Sequence, residues 1–335
     1  MKLMVSNLRA VGIVGLGAWL PEQKITNHDL MKLVDTSDQW ILTRTGISER
    51  RKASAEEAAS DLGTKAAQKA LAMAKVKAED VDLIIVATVT PDMFFPATAC
   101  LVQKNLGAVK AAAFDLSAAC SGFLYALAVG SQFVATGAYD TVLVVAAEVL
   151  TKIVNWEDRH SCILFGDGAG AAVLQAVEKD TGFLSFDLGA DGTGGDLLKV
   201  PAGGSRKPAC QETVQNKEHF LVMSGNEVFK FAVKAMADTS LKALEKAGLS
   251  QEDLACLIPH QANTRIIEAV RKRLGLPAEK VFINLDRYGN MSSASIPVAL
   301  AEAVEKGYLH KGDLLLLVGF GAGLTWGSAV MKWVV

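Results

Sequence analysis

Neither sign of charge dominates this chain. Its 335 residues carry 34 Lys and Arg against 36 Asp and Glu, a formal net charge of −2. No chain-wide field exists to hold nucleic acid, so a charged partner must be met by a local patch. Cysteines are few and scattered. Cys100, Cys120, Cys162, Cys210 and Cys256 include no CxxC pair. Such a set argues against a disulfide framework or a zinc site and for a reducing, cytoplasmic compartment. The histidines show no HxH or HxxxH pair, so no metal is expected, and nothing calls for a resident cofactor. A dinucleotide fingerprint is missing too. GIVGLGAWLP (12–21) lacks the third glycine of GxGxxG and runs into Pro21.

Two stretches imitate membrane signals. Lys2 and Arg9 precede the apolar run Val11–Leu20, but no small-x-small cleavage site follows, and a polar capping stretch comes after Pro21. The run reads as a first strand. Leu116–Tyr139 is uncharged throughout and exceeds the roughly 20 residues that span a bilayer. It holds Ser117, Ser121, Ser131, Gln132 and Thr136, with no flanking Lys or Arg, and reads as a buried helix without membrane insertion.

What the chain has is bulk. Half its residues are hydrophobic and 21% are charged, which excludes a disordered chain. Its length suits about two domains of roughly 150 residues. Val81–Thr88, Ala111–Asp115, Thr141–Ala147, Leu254–Ile258, Val281–Asn284 and Leu314–Val318 read as buried strands. Glu56–Met73, Ala97–Asn105, Ser121–Ala135, Asn226–Ala247, Asn263–Leu274 and Ser292–Glu305 read as helices. The alternation predicts an α/β protein with mostly parallel central strands.

The order also repeats. Glu79-Asp80-Val81 opens strand, loop, helix, Leu106-Gly107, strand, then a helix near Cys120; Glu252-Asp253-Leu254 opens the same series through Leu274-Gly275. Two halves, 1–177 and 178–335, are predicted around a pseudo-twofold axis. Ligands of parallel α/β sheets bind beyond the carboxyl ends of strands. Cys120, His260 and Asn290 each follow a strand in such a loop, and the axis would bring these loops together.

Cys120, in DLSAACSGF, sits between a strand and an uncharged helix. The helix N-terminus is expected to lower its pKa, and Ala118, Ala119, Ser121 and Gly122 admit a tight turn. It reads equally as a nucleophile or a buried structural thiol. His260 and Asn290 each have a plain reading as well, a satisfied structural imidazole and a capping amide. Together the three suggest chemistry. The glycine clusters FGDGAGAAVL (165–174) and GFGAGLTWGS (319–328) expose backbone N–H groups suited to an oxyanion hole, or else mark tight strand crossings.

SDQWILTRTGI (37–47), AACSGF (118–123), FGDGAGAAVL (165–174), GNEVFK (225–230), PHQANTRI (259–266), YGNMSSASIP (288–297) and FGAGLTWGSA (320–329) run in this order over nearly the whole chain. In them the chain resembles β-ketoacyl-[acyl-carrier-protein] synthase III, the initiating condensing enzyme of dissociated fatty acid synthesis. The resemblance implies a thiolase-like five-layered αβαβα fold and a homodimer. It implies that Cys120 is acylated by an acyl-CoA, that His260 and Asn290 serve decarboxylation of malonyl-[acyl-carrier-protein], and that the N–H groups of Cys120 and Ala322 form an oxyanion hole. Many members have glycine at the place of Ala322, where only backbone freedom differs. Trp40, Arg44 and Arg159 match coenzyme A contacts. Phe95 matches a residue closing the partner's acyl pocket, and Leu150 and Leu221 bear on its depth.

The resemblance also implies an acidic acyl carrier protein as partner. Ile266, Ile267, Val270 and Leu274 mark an inward helix face, leaving Arg265, Lys272 and Arg273 outward beside His260. With Lys230 and Gln261 they are the expected carrier contacts. A biosynthetic thiolase is the nearest rival, but no cysteine follows Cys256 to act as its second thiol. A relative recruited to polyketide or other secondary metabolism would share every motif. A non-catalytic scaffold would not need all three of Cys120, His260 and Asn290.

Overall fold

The computed structural model describes residues 8–335; Lys2, in the basic stretch ahead of the first apolar run, lies outside them. The first sheet contains β1 (Val11–Trp19), β2 (Leu83–Ala87), β3 (Ala112–Leu116), β4 (Val142–Val149) and β5 (Asp167–Ala176), in the order β1-β5-β4-β2-β3. The second contains β6 (Gly182–Ala190), β7 (Cys256–Pro259), β8 (Leu314–Gly321) and β9 (Thr325–Lys332), in the order β7-β8-β9-β6. The longer helices are α1 (Asp38–Thr45), α2 (Ala59–Ala74), α3 (Thr98–Leu106), α4 (Gly122–Ala135), α5 (Gly225–Ala247), α6 (Thr264–Arg273) and α7 (Ser295–Glu305).

Strand alternation sets the layers. On β2, Leu83, Ile85 and Ala87 face α4 and α7, while Ile84 and Val86 join α2 and α3 on the other side. On β8, Leu315 and Leu317 face the same two inner helices, while Leu316 and Val318 face α5 and α6. β2 and β8 are buried on both faces, which is why they read as unbroken apolar runs. The result is five layers, αβαβα, with α4 and α7 at the centre. Phe123, Leu124, Leu127 and Val134 of α4 are fully buried there, each worth roughly 1.5–3 kcal/mol relative to exposure. No helix among the described residues is long and apolar enough to cross a membrane.

Two expectations change. The strands are mixed rather than mostly parallel: β2 pairs parallel with β3 and β4, and β7 with β8. The pairs β1–β5, β4–β5, β8–β9 and β6–β9 are antiparallel. A tight turn joins β8 to β9, too short for the crossover that parallel pairing needs. Val281–Asn284, in turn, is not a strand and makes only a bridge, Leu257 to Val281. Its backbone is diverted to a side chain, the Asn284 N–H donating to Gln261 Oε1 at 3.0 Å.

The sheets still share a connectivity. The series β3-β2-β4-β5-β1 matches the Val281 bridge followed by β7-β8-β9-β6. A 3₁₀ turn precedes each central helix, Ala119–Ser121 before α4 and Ser292–Ala294 before α7. The two turns pack against each other. This contact brings the strand-end loops of both halves to one place.

Candidate active site

Cys120 sits in the turn between β3 and α4. Ala119, just before it, has φ +47, a conformation an L-residue holds only under constraint. Part of the constraint is visible. Ser121 Oγ and Thr325 Oγ1 are 2.7 Å apart, and Thr325 Oγ1 lies 2.8 Å from the Ala118 carbonyl. Thr325 Oγ1 also reaches the Ala322 carbonyl at 3.1 Å, so the loop carrying Ala322 is tied to the Cys120 turn. The two backbones nearly touch: a Cβ on Gly321 would lie 2.4 Å from the Cys120 nitrogen.

Burial pushes the Cys120 thiol up to about 12; a Ser292 hydroxyl pulls it down and the nearby Glu148 carboxyl adds to the rise. Here the structure departs from the sequence expectation of a lowered pKa. Losing water around a thiolate outweighs the helix terminus. At rest the group is a thiol.

His260 follows β7, with its backbone N–H on the Val318 carbonyl at 2.7 Å. Its ring is 2% exposed, and burial lowers its pKa to about 3. The imidazole is therefore neutral, and its buried Nδ1 has no partner among the described residues. Asn290 is fixed by its backbone, which donates to the Leu164 carbonyl at 2.8 Å and accepts from the Gly166 N–H at 3.0 Å. Gly289 makes this possible: it has φ +68, and a Cβ there would come 2.8 Å from the Leu164 oxygen. The Ser292 N–H donates to Asn290 Oδ1 at 2.8 Å. That bond assigns the oxygen and leaves the amide Nδ2 as a donor without a partner among the described residues.

Cys120, His260 and Asn290 line one cavity of about 400 Å³. Trp40 and Arg44 line the same cavity, on α1, whose first turn is capped by Ser37 accepting from the Trp40 N–H at 3.1 Å. Arg44 and Arg159 both stack on the Trp40 ring, their Cζ atoms 4.6 and 5.2 Å from its centroid. A flat, aromatic, cationic rim results, suited to an anionic ligand with a planar end. Arg265 also lines the cavity and reaches over Phe229.

Other expected residues lie elsewhere. Phe95 is 84% exposed and does not line the cavity of its own chain. Leu150 and Leu221 belong to a neighbouring apolar cluster with Trp40. Lys230 is exposed beside Glu227, and Lys272 shares Glu268 with Arg271. Gln261 is corrected. It is fully buried, its Nε2 donating to the Pro259 and Phe282 carbonyls at 2.8 and 3.3 Å, so a carrier has no access to it. Sequence reading also missed Glu148, Ser292 and Ser293 behind Cys120. A lone carboxylate in the apolar strand VLVVAAEVL was the available signal.

Residues 114–192 match the family of 3-oxoacyl-[acyl-carrier-protein (ACP)] synthase III, and residues 244–333 match its C-terminal family. The β-ketoacyl-[acyl-carrier-protein] synthase III of Desulfitobacterium hafniense is 61% identical over 324 residues, covering 97% of this chain and 98% of that protein. The crystal structure of 3-oxoacyl-[acyl-carrier-protein] synthase III from Aquifex aeolicus superposes with a TM-score of 0.90 at 46% identity, covering 97% and 100% of the two chains. A priming β-ketosynthase of a polyketide pathway superposes with a TM-score of 0.91 at 36% identity, covering 100% and 99%. The five layers are the thiolase-like fold of these enzymes. The chain belongs to the β-ketoacyl-[acyl-carrier-protein] synthase III family of condensing acyltransferases.

Proposed function

We infer that this enzyme joins a short acyl-CoA to malonyl-[acyl-carrier-protein], releasing CO2 and CoA and giving the 3-oxoacyl-carrier that starts fatty acid synthesis. One observation carries the reading: a thiol, a neutral imidazole and a free amide N–H converge on one cavity with an aromatic, cationic mouth. The Cys120 sulfur attacks the thioester carbonyl. Its S–C bond forms, the bond to the CoA sulfur breaks, and the proton lost by the thiol is matched by one gained by departing CoA. The N–H groups of Cys120 and Ala322 serve the transient oxyanion.

Malonyl-carrier then loses CO2, and the pair from the broken C–C bond enters the thioester as an enolate. Decarboxylation supplies the carbanion, so no strong base and no resident cofactor is required. The site must supply donors where charge builds on oxygen. A neutral His260 ring N–H and Asn290 Nδ2 fill that role, at roughly 2.7–4 kcal/mol per donor by the usual oxyanion scale. The enolate carbon attacks the acyl-Cys120 carbonyl, the C–C bond forms, and Cys120 leaves as thiolate and regains a proton from water.

Trp40, Arg44 and Arg159 receive the CoA end in this reading, and Arg265, Lys272 and Lys230 the acidic carrier. The enzyme works in the cytoplasm as a homodimer of two-half chains, divided at 177/178. The exposed Phe94 and Phe95 and the open edge of β3 support a second copy there, with Phe95 covering its pocket. Identities of 61% to a fatty acid enzyme and 36% to a polyketide enzyme favour the first pathway. The test is incubation with a panel of acyl-CoAs, reading the mass added to the Cys120 peptide, followed by product analysis with malonyl-carrier. An acyl adduct confined to another cysteine overturns the assignment.

A further inference from the structure

The reaction as described leaves unused a buried acid close to the nucleophile. Glu148, on the inward face of β4, is 0% exposed. Its Oε1 accepts from Ser293 Oγ at 2.6 Å. Its Oε2 accepts from Thr90 Oγ1 at 2.8 Å and the Val89 N–H at 3.1 Å. Ser293 is also fully buried, and its Cβ lies 3.5 Å from where a Cβ on Gly122 would stand, at the start of the Cys120 helix. One residue before it, Ser292 has φ +47 and gives its N–H to Asn290 Oδ1. An unfavourable backbone of this kind persists only where its surroundings hold it. Burial pushes the Glu148 carboxyl up from the usual carboxylate range, against the pull of the Ser293 and Thr90 hydroxyls and the Val89 N–H, and its contact with Ser293 is the short one that ties β4 to the turn.

We propose that Glu148 is a positioning residue for decarboxylation: it clamps the Ser292–Ser293 turn so that the turn's N–H holds Asn290 with its amide donor aimed into the cavity. The chain of contact is Glu148 to Ser293, Ser293 to Ser292 through one peptide, and Ser292 to Asn290. The proposal rests on the reading that Asn290 serves the enolate. It assigns Glu148 no contact with substrate. A site without the clamp still carries Cys120 and its oxyanion N–H groups, so the two half-reactions respond differently.

The experiment measures both halves separately in the full-length protein, as acyl-Cys120 formation from acetyl-CoA and as CO2 release from malonyl-carrier. Glu148→Ala should slow CO2 release by about tenfold or more through kcat with little change in KM, and acylation by less than about threefold. Glu148→Gln keeps an acceptor for Thr90 and Val89 and offers Ser293 Oγ an N–H donor, while the Ser293 hydroxyl proton turns to the Ala87 carbonyl, 3.1 Å away. It should recover most of the lost CO2 release. If Glu148→Ala does not fold, Ser293→Ala breaks the same clamp and should show the same split, severalfold in size. Equal loss in both half-reactions without rescue by Gln overturns the proposal, as does unchanged CO2 release in whichever variant folds. Asn290→Ala is the control: if it retains CO2 release, the reading of Asn290 fails rather than the clamp alone.

Discussion

The Cys120 turn and the Ser293 turn are counterparts, and in the proposed mechanism only one of them carries a nucleophile. Each is a 3₁₀ turn opening a central helix, and in each the first residue, Ala119 or Ser292, has φ +47. They differ in the strand behind. Counted by inward-facing positions, Gly321 of β8 corresponds to Glu148 of β4. Gly321 has no side chain, so the Cys120 nitrogen sits where its Cβ would be. Glu148 fills the matching place and takes the Ser293 hydroxyl. One scaffold thus serves as a site where a side chain is missing and as a support where a side chain is present.

Exchanging the two turns is the strongest way to break this comparison. Cys120→Ser should lose acylation and condensation together, by more than about 10³-fold, since in the proposed mechanism both use the same sulfur. Adding Ser293→Cys to that variant should restore neither, because the second turn faces Glu148 rather than the cavity. Recovery of acyl transfer, read by peptide mass, would show the two turns to be interchangeable.

Filling the empty side is next. Gly321→Ala places a methyl against backbone, not against a flexible side chain. The Cys120 turn must shift, and displacement of a reacting group by about 1 Å costs on the order of 10²-fold. Overpacking of roughly 1–3 kcal/mol should also lower the melting temperature by several degrees. Full acylation together with an unchanged melt would mean that the turn has slack.

The donors come third. His260→Ala and Asn290→Ala should each leave acyl-Cys120 formation near the parent rate and lower CO2 release by about 10²- to 10³-fold. The parent should show no inflection in CO2 release from His260 between about pH 5 and 8. Burial lowers its pKa from 6.5 to about 3, so the ring gains a proton only in far more acid solution. A step near pH 6.5 would contradict the neutral imidazole.

These contrasts also show where the sequence could be read. Cys120 stood out because small residues flank it between a strand and a helix, a purely local pattern. The inward face of α6 was legible from helical spacing, and Ile266, Ile267, Val270 and Leu274 are buried as that spacing requires. The thiol pKa was not legible. A helix terminus is visible in sequence, whereas desolvation depends on which loops close over the sulfur. Gln261 misled for the same reason: a polar residue beside His260 reads as surface until the Pro259 and Phe282 carbonyls are seen to enclose it. Glu148 was visible as an anomaly in its strand, but its partners Thr90 and Ser293 come from distant segments.

The smallest effects belong to the cavity rim, outside the paired turns altogether. The proposed carrier is acidic, and a basic rim would act on it through association rate more than through fixed contacts. Arg265 is exposed, borders the cavity and makes no ion pair on its own helix within the described residues. Lys272 is exposed too, but Glu268 lies 3.4 Å from its Nζ and also takes Arg271 at 2.6 Å. The field around Lys272 is therefore partly cancelled. Arg265→Glu should raise KM for malonyl-carrier by about three- to tenfold and Lys272→Glu by less, with acetyl-CoA acylation nearly unchanged in both. Added salt should shrink the difference between parent and variants, because exposed charges are screened within about 10 Å at 0.1 M. Equal loss with both substrates would indicate a folding defect. A larger effect at Lys272 than at Arg265 would show that the carrier displaces the Glu268 pairing when it docks.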